Sequence, residues 1–453
     1  MIGITGYSVY VPRRRLRRET ISAAWGGTAV PGCKAVMGFD EDSLTMAQAA
    51  AWPLAAGTQA LSFASTTAPY WQRSAAGLIA AACDLPASVA TADYGGSLRC
   101  GTTALRSALD AVSAGTAQSA VVAASDSRDG MPESAEEMLF GDAAAAVAVG
   151  RENLLAELVA SVTRSDDFPD EWRRDTDPQV RSFGSKYSLT RGYAENVAAA
   201  GRALLEKSGV KPEQIARAAF VSTDGRSQVA AAKALGIPAP RVEDSRAGDL
   251  GITGAAMPLF LMAQALDRAQ AGDLIMVIAY GDGADALLLR SLGRGPRLQA
   301  DSRSMEIRSY AIYRKLREHW RGTPAGTEIS NVMLRREESQ NVRLHGSVCP
   351  VCGLVQFPIA KVCVGCRNRD GLAEKALVRR GRVFTFTKDF LYDAPAQPTV
   401  MAVVDLHDGG RFLCQMTDTD PDTVEIGMEV ELVLRRMREG AGDHYYYWKA
   451  RPV

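Results

Sequence analysis

Two Cys-x-x-Cys pairs separated by ten residues constrain this chain more than any other feature. They lie in C-P-V-C-G-L-V-Q-F-P-I-A-K-V-C-V-G-C, residues 349–366. Each pair presents two thiolates from a tight knuckle, and together Cys349, Cys352, Cys363 and Cys366 make a closed tetrahedral donor set. The other four cysteines, Cys33, Cys83, Cys100 and Cys414, are scattered. In a chain of 453 residues that is a metal site plus isolated thiols, not a disulfide framework. Zinc suits four soft thiolates without redox chemistry, and iron in a rubredoxin-like site is its chemical competitor. With all four cysteines bound, no coordination position is left for substrate. The metal is expected to be structural, fixing the segment between two larger parts of the chain.

The length corresponds to about three domains, or two large ones, at one domain per ~150 residues. With 47% hydrophobic and 23% charged residues, there is ample apolar material for a sizeable core. Lys plus Arg equals Asp plus Glu at 52 each, which argues against a nucleic-acid partner. The longest apolar runs, such as Ala120–Ala124 and Leu274–Tyr280, are strand-sized and far short of the ~20 residues that span a bilayer. The opening Met1-Ile-Gly-Ile-Thr-Gly-Tyr reads as a strand rather than a leader, so the expected location is cytoplasmic, with no membrane association.

Strands and helices alternate over the first 290 residues. Residues 2–11 read as a strand. A capped helix follows from Asp42, bent or ended at Pro53, then a strand at Leu61–Ser65 and an Ala-rich helix at Ser74–Ala82. Val89–Asp93, Ser119–Ser125 and Ala143–Val149 read as strands, with a helix over Thr103–Ser113. The second half repeats the theme: helix Tyr193–Lys207, strand Ala218–Ser222, helices Ser227–Leu235 and Gly254–Ala271, strand Asp273–Tyr280, then Gly281-Asp282-Gly283 opening a hairpin into Ala286–Arg290. The fold class is a layered α/β body with a duplicated core. From Arg382 to the end the pattern is strand-like, with a hairpin turn at Asp408-Gly409-Gly410, as in a small all-β barrel.

These motifs carry a resemblance. GITGYSVYVPRRRL, Asp40–Ala47 (DEDSLTMA), Gly101–Leu105 (GTTAL) and FGDAAAAVAV make residues 1 to about 320 similar to the thiolase superfamily, nearest to hydroxymethylglutaryl-CoA synthase and ketoacyl synthase III-like proteins. Residues 349–366 with VFTFTKDF, VMAVVDLHDGGRFLCQMTDTDP and VEIGMEVELVLR resemble a zinc-ribbon and OB-fold family. The resemblance implies a duplicated thiolase-like layered fold, then a rubredoxin-like zinc ribbon and an OB-fold barrel. The expected divisions are 1–165 and 166–325 for the two halves, 326–373 for linker helix and ribbon, and 374–453 for the barrel. It further implies an acyl-CoA or other acyl thioester as substrate or ligand and a homodimer, and leaves room for a thiolase-like protein partner.

The family's chemistry is not carried over whole. Its acylated cysteine falls on Leu98, its acid/base glutamate on Thr67, its histidine on Thr223 and an asparagine on Ile252, and no histidine occurs in residues 1–318. The readings that survive are non-covalent aldol or retro-aldol chemistry on a β-hydroxyacyl-CoA, a catalytically silent acyl-CoA-binding or scaffold subunit, and an acyltransferase using a displaced Cys100. Asp224, next to Thr223, is the acid/base candidate, or alternatively an N-cap in D-G-R-S. Asp93 either caps the Gly95–Gly96 amides or faces substrate, Tyr94 either donates from its hydroxyl or packs, and Cys100 is either a packed thiol or the displaced nucleophile. Arg99 either meets an anion or pairs with Asp93. Gly281 and Gly283 allow close main-chain approach to a thioester oxygen, and Arg379 and Arg380 offer guanidinium forks to phosphate. The run Arg13–Arg17 is either a phosphate-attracting patch or a charged surface face.

Overall fold

The protein, seen in a computed structural model, is described for residues 1–453 apart from 175, 185, 223–224, 294, 296, 299–302, 319–329, 392–397 and 441–442. The chain divides into two units. The first comprises Met1–Met37, Asp42–Ala80 and Ala87–Tyr313; the second comprises Gly38–Glu41, Ala81–Pro86 and Arg314–Val453.

Nine strands form the sheet of the first unit: β1 (Gly3–Tyr10), β2 (Ala60–Ala64), β3 (Ala90–Tyr94), β4 (Ala120–Asp126), β5 (Ala143–Gly150), β6 (Ala156–Ser165), β7 (Ile215–Phe220), β8 (Leu274–Tyr280) and β9 (Gly283–Ser291). Their order is β7-β8-β9-β6-β1-β5-β4-β2-β3. Outward from β1, neighbours pair antiparallel, antiparallel, parallel and parallel. Outward from β6 the same series recurs through β9, β8 and β7, and the fifth place is filled only by a parallel bridge between Ala218 and Val242. The two half-sheets meet where Gly3 and Ile4 face Glu157 and Ala156.

The helices repeat in step: α1 (Ser43–Ala51), α2 (Ala75–Ala82) and α3 (Cys100–Ala114) against α4 (Glu195–Ser208), α5 (Gly225–Ala234) and α6 (Met257–Arg268). Asp42 caps α1, accepting the Thr45 N–H at 2.8 Å while the Thr45 hydroxyl accepts the Asp42 N–H at 2.9 Å. Leu105, Leu109 and Val112 of α3 and Leu259, Leu261 and Met262 of α6 share one apolar core with Val122, Val147, Val277 and Leu287 from strands of both halves. At about 1.5–3 kcal/mol per fully buried aliphatic side chain, this seam is a main source of stability. The expected duplication is thus present in strand order, strand direction and helix placement.

Two features depart from the sequence pattern. Strand β6 has neither a continuous apolar run nor a clean alternation, because half of its residues are only partly buried and its last three are exposed, and the sequence reading passes over it. The basic run is not a surface face throughout. Arg14–Arg17 is a strand paired with Cys33–Val36, and Arg13 and Arg18 at its ends are buried. The Arg18 guanidinium donates to the carbonyls of Met138 and Ala247.

In the second unit, His345–Val348 pairs with Val355–Gln356 and Ala373–Ala376. Five further strands follow: β10 (Arg380–Asp389), β11 (Thr399–Leu406), β12 (Arg411–Gln415), β13 (Glu429–Gly440) and β14 (Asp443–Pro452). Their order is β12-β11-β10-β13-β14, and a bridge between Met416 and Ala450 brings the two edges together into a near-closed barrel. Strict alternation in β11 sends Val400, Ala402, Val404 and Leu406 inward. Gly409 and Gly410, at φ of 101° and 88°, make the β11–β12 turn that only glycine adopts without strain. Among the described residues no helix is long and apolar enough to cross a membrane.

Candidate metal centre and candidate active site

The four cysteines of the paired motif converge. Their sulfurs all lie within 4.8 Å of one another, with Cys349–Cys366 at 3.6 Å and Cys352–Cys363 at 3.5 Å. Thiolate bonds of about 2.3 Å in a tetrahedral centre separate the sulfurs by about 3.8 Å, so the donor set fits such an ion. Two matching knuckles create it. The Gly353 N–H donates to the Cys349 carbonyl at 2.9 Å and the Arg367 N–H to the Cys363 carbonyl at 3.0 Å, and Gly353 and Arg367 both take a left-handed conformation. The Cys352 backbone N–H, directed at the Cys349 sulfur, holds that thiol down to about 6. The Cys366 N–H lowers Cys363 in the same way. Both sulfurs are thereby prepared as anionic ligands.

In the first unit, Thr67, the position that matches the family's glutamate, is held by a carboxylate that the sequence reading did not single out. Asp126, fully buried at the end of β4, accepts from the Ser65 hydroxyl (2.9 Å), the Thr66 N–H (2.7 Å) and hydroxyl (2.8 Å), the Thr67 N–H (3.1 Å) and hydroxyl (3.0 Å), and the Ala255 N–H (2.8 Å). One side chain thus ties the loop after β2 to the turn before α6. Thr67 also accepts the Ser127 N–H at 2.9 Å, and its carbonyl receives the Ser43 hydroxyl at 2.8 Å. Gly254, at φ 58°, lies so close that a Cβ would overlap Asp126 Oδ2 and Arg128 Cδ. Arg128 in turn pairs with Glu171, and its guanidinium lies 4.0 Å from the centre of the Phe140 ring.

Cys100 begins α3 and is 2% exposed. Burial, reinforced by the negative charge of Asp126, pushes its thiol well above the ordinary range, so it stays protonated and weakly nucleophilic at neutral pH. Leu98 is partly buried two residues earlier. The β8–β9 turn passes against this segment. A Cβ on Gly281 would come 2.8 Å from the Ser97 hydroxyl and 3.0 Å from the amide nitrogens of Leu98 and Arg99, so glycine is needed for the approach. Gly283, at φ 111°, completes the turn, and its carbonyl accepts the Gly281 N–H at 3.0 Å.

Other predicted residues have protein partners. Asp93 accepts from the Ser74 hydroxyl (2.6 Å) and the N–H groups of Ala75 and Ala76 (both 3.0 Å), which makes it the cap of α2 rather than of the Gly95–Gly96 turn. Tyr94 ends β3, packs at the edge of the core, and accepts the Ser65 N–H on its carbonyl at 2.9 Å. Arg99 pairs not with Asp93 but with fully buried Asp285 at 3.1 Å, and donates to the Gly281 carbonyl at 2.8 Å. Thr102 adds a 2.8 Å hydrogen bond to Asp285. Ile252 is buried in a bridge with Phe140. Thr223 and Asp224 lie outside the described residues.

In the second unit, Arg379 donates to the Leu432 carbonyl at 2.8 Å and lies 4.9 Å from the Trp448 ring, where burial lowers its pKa to about 10. Arg380 is exposed at the start of β10, opposite Glu431. The structure therefore gathers Thr67, Asp126 and Cys100, and separately Leu98, Arg99 and Gly281, whereas Asp93 serves a helix end. Asp126 and Asp285 went unnoticed because each is a lone acid at the edge of an apolar strand. Their only signal is the cost of placing a carboxylate there without donors.

Residues 374–435 match the family model described as "ChsH2, C-terminal OB-fold domain". Hydroxymethylglutaryl-CoA synthase from Methanopyrus kandleri is 31% identical over 299 residues, covering 62% of this chain and 85% of that protein. The synthase from Pyrococcus furiosus is 28% identical over 339 residues, covering 70% of this chain and 97% of that protein. Among solved structures, an HMG-CoA synthase complexed with CoA superposes with a TM-score of 0.64 at 18% identity, covering 72% of this chain and 92% of that one. The 3-oxoacyl-[acyl-carrier-protein] synthase III of Aquifex aeolicus gives 0.58 at 23% identity, covering 64% and 100%. At these identities the superpositions establish the thiolase-like fold.

Proposed function

Because the chain belongs to the hydroxymethylglutaryl-CoA synthase family, we propose that it acts on acyl-CoA thioesters in carbon–carbon bond chemistry without an acyl-enzyme intermediate. The reaction is aldol or retro-aldol conversion of a β-hydroxyacyl-CoA. The observation that carries this reading is the residue at the foot of α3. Leucine occupies position 98, and the nearest thiol, Cys100, is buried beside Asp126 and held protonated.

In the cleavage direction a base takes the proton of the β-hydroxyl, the Cα–Cβ bond breaks, and its electron pair enters the thioester as an enolate. A proton delivered to Cα then releases a shorter acyl-CoA and a carbonyl product. Asp224 is assigned as the base on its place in the sequence. Main-chain amides of the 97–99 segment are assigned to the enolate oxygen; the Gly281 N–H is taken by the Gly283 carbonyl, so the 281–283 turn packs against that segment rather than donating from Gly281. The Cys349/Cys352/Cys363/Cys366 centre is assigned zinc, held as a closed structural ion that stabilises the ribbon. A homodimer is proposed as the assembly.

The alternative is a silent acyl-CoA-binding subunit, and it is favoured by one observation: Asp126 and Asp93 each already accept several hydrogen bonds from the protein. Turnover separates the two. β-Hydroxyacyl-CoA thioesters are incubated with the parent, Asp224→Asn and Cys100→Ala, and products are followed by mass spectrometry. Carbonyl and shortened acyl-CoA from the parent and C100A, at least ~100-fold reduced in D224N, is the expected result. Tight binding with no turnover would leave the silent subunit.

A further inference from the structure

Two short stretches from early in the sequence, Gly38–Glu41 and Ala81–Pro86, group with the C-terminal unit rather than with the residues that flank them. Both are bound there through charge. Asp40 and Glu41 are each 1% exposed and meet Arg435, Lys449 and Asp418, which are equally withdrawn from solvent. The Lys449 ammonium is 2.9 Å from Asp40 Oδ2, and the Arg435 guanidinium is 3.1 Å from Glu41 Oε1, 2.8 Å from Asp418 Oδ2 and 3.9 Å from Asp40 Oδ1. The main chain joins in. The Arg436 N–H donates to the Asp40 carbonyl at 2.9 Å, and the Gly38 N–H to Glu41 Oε2 at 2.6 Å. Burial alone raises the Asp40 pKa, but Lys449 and Arg435 outweigh it and hold the carboxyl below its ordinary range.

The second stretch is held more openly. Asp84 Oδ1 lies 3.4 Å from the Arg343 guanidinium and 2.9 Å from His345 Nε2. Arg343 also donates to the Leu85 carbonyl at 2.7 Å and pairs with Glu338 at 3.2 Å.

We propose that the C-terminal unit is a discontinuous folding unit, completed by Gly38–Glu41 and Ala81–Pro86 acting as two ion-paired latches. Arg435 and Lys449 are buried cations. Asp40 meets Lys449, and Asp40 and Glu41 stand with Asp418 against Arg435; removing one partner of a buried charge pair destabilises strongly, whereas a partly exposed pair such as Asp84–Arg343 contributes little. The first latch is therefore the dominant one, and the second trims the ribbon. The inference is independent of the reaction proposed above.

Hydrogen exchange followed by mass spectrometry on the full-length protein tests it. In Asp40→Asn, peptides covering β11, β12 and β14 are expected to exchange at least about tenfold faster than in the parent, while those covering β4 and β5 keep their protection. In Asp84→Asn, peptides covering His345–Val348 are expected to exchange about 2–5-fold faster than in the parent, a smaller change than D40N makes in the barrel. Unchanged barrel exchange in D40N, or equal loss of protection in both units, would overturn the first latch. Unchanged exchange of His345–Val348 in D84N would overturn the second.

Discussion

The cysteine cluster and the Asp126 hub are both centres where polar side chains converge, yet they are built in opposite ways. The cluster draws its four sulfurs from 18 consecutive residues, each pair set by a local knuckle with its own backbone hydrogen bond. The hub draws on residues 65–67, 126–127 and 254–255, brought together only once the half-sheets have closed around α3 and α6. A local centre survives as a pattern that can be read directly. A non-local one exists only as a consequence of the tertiary fold, so its residues look unremarkable one by one.

That contrast predicts unequal sensitivity to change. Cys363→Ser should have the largest effect, because it removes one of the four converging sulfurs of the proposed metal centre. Loss of bound metal by elemental analysis, with exposure of His345–Val348 to exchange, is expected, and full metal retention would break the comparison. Asp126→Ala comes next. It leaves the partly buried donors of Thr66 and Thr67 and the buried Ala255 N–H without their acceptor, and a loss of about 3–5 kcal/mol is expected in urea unfolding.

Gly254→Ala tests the same hub from the other side. Its Cβ would meet Asp126 and Arg128 in a left-handed conformation, so a loss of about 1–3 kcal/mol is expected by the same titration. A neutral result would mean that the turn yields freely. The smallest effect belongs to Cys100. Its thiol is displaced well upward, so the thiolate fraction stays negligible until the pH is well above the ordinary thiol range. Iodoacetamide should leave it unlabelled in the folded protein at pH 7 to 8, with labelling appearing only on unfolding.

Much of the architecture is legible in the sequence because it depends on periodicity. The strand patterns of β1–β5 and β7–β9, the Asp42 cap, the α3 helix and the alternation in β11 all carry their own signal. Strand β6 does not, since partial burial on both faces removes the alternation that would reveal it. The basic run Arg13–Arg17 misleads for a related reason. Arg13, and Arg18 just beyond the run, are buried, and Arg18 is satisfied by carbonyls more than a hundred residues away, information that no local window contains. At the candidate site the sequence reveals what is missing, a cysteine at 98 and any histidine before 319, more readily than what takes its place. Asp93 and Arg99 carry chemistry-bearing side chains, and their partners in the structure, the α2 N-terminus and Asp285, come from outside any local window.

Intact-protein mass spectrometry during incubation with a series of acyl-CoA and β-hydroxyacyl-CoA thioesters tests the central claim most directly. The account predicts unmodified protein throughout, with carbonyl and shortened acyl-CoA accumulating in solution. An acyl adduct that maps to Cys100 and disappears in C100A would contradict it, and would restore a covalent thioester mechanism to this fold.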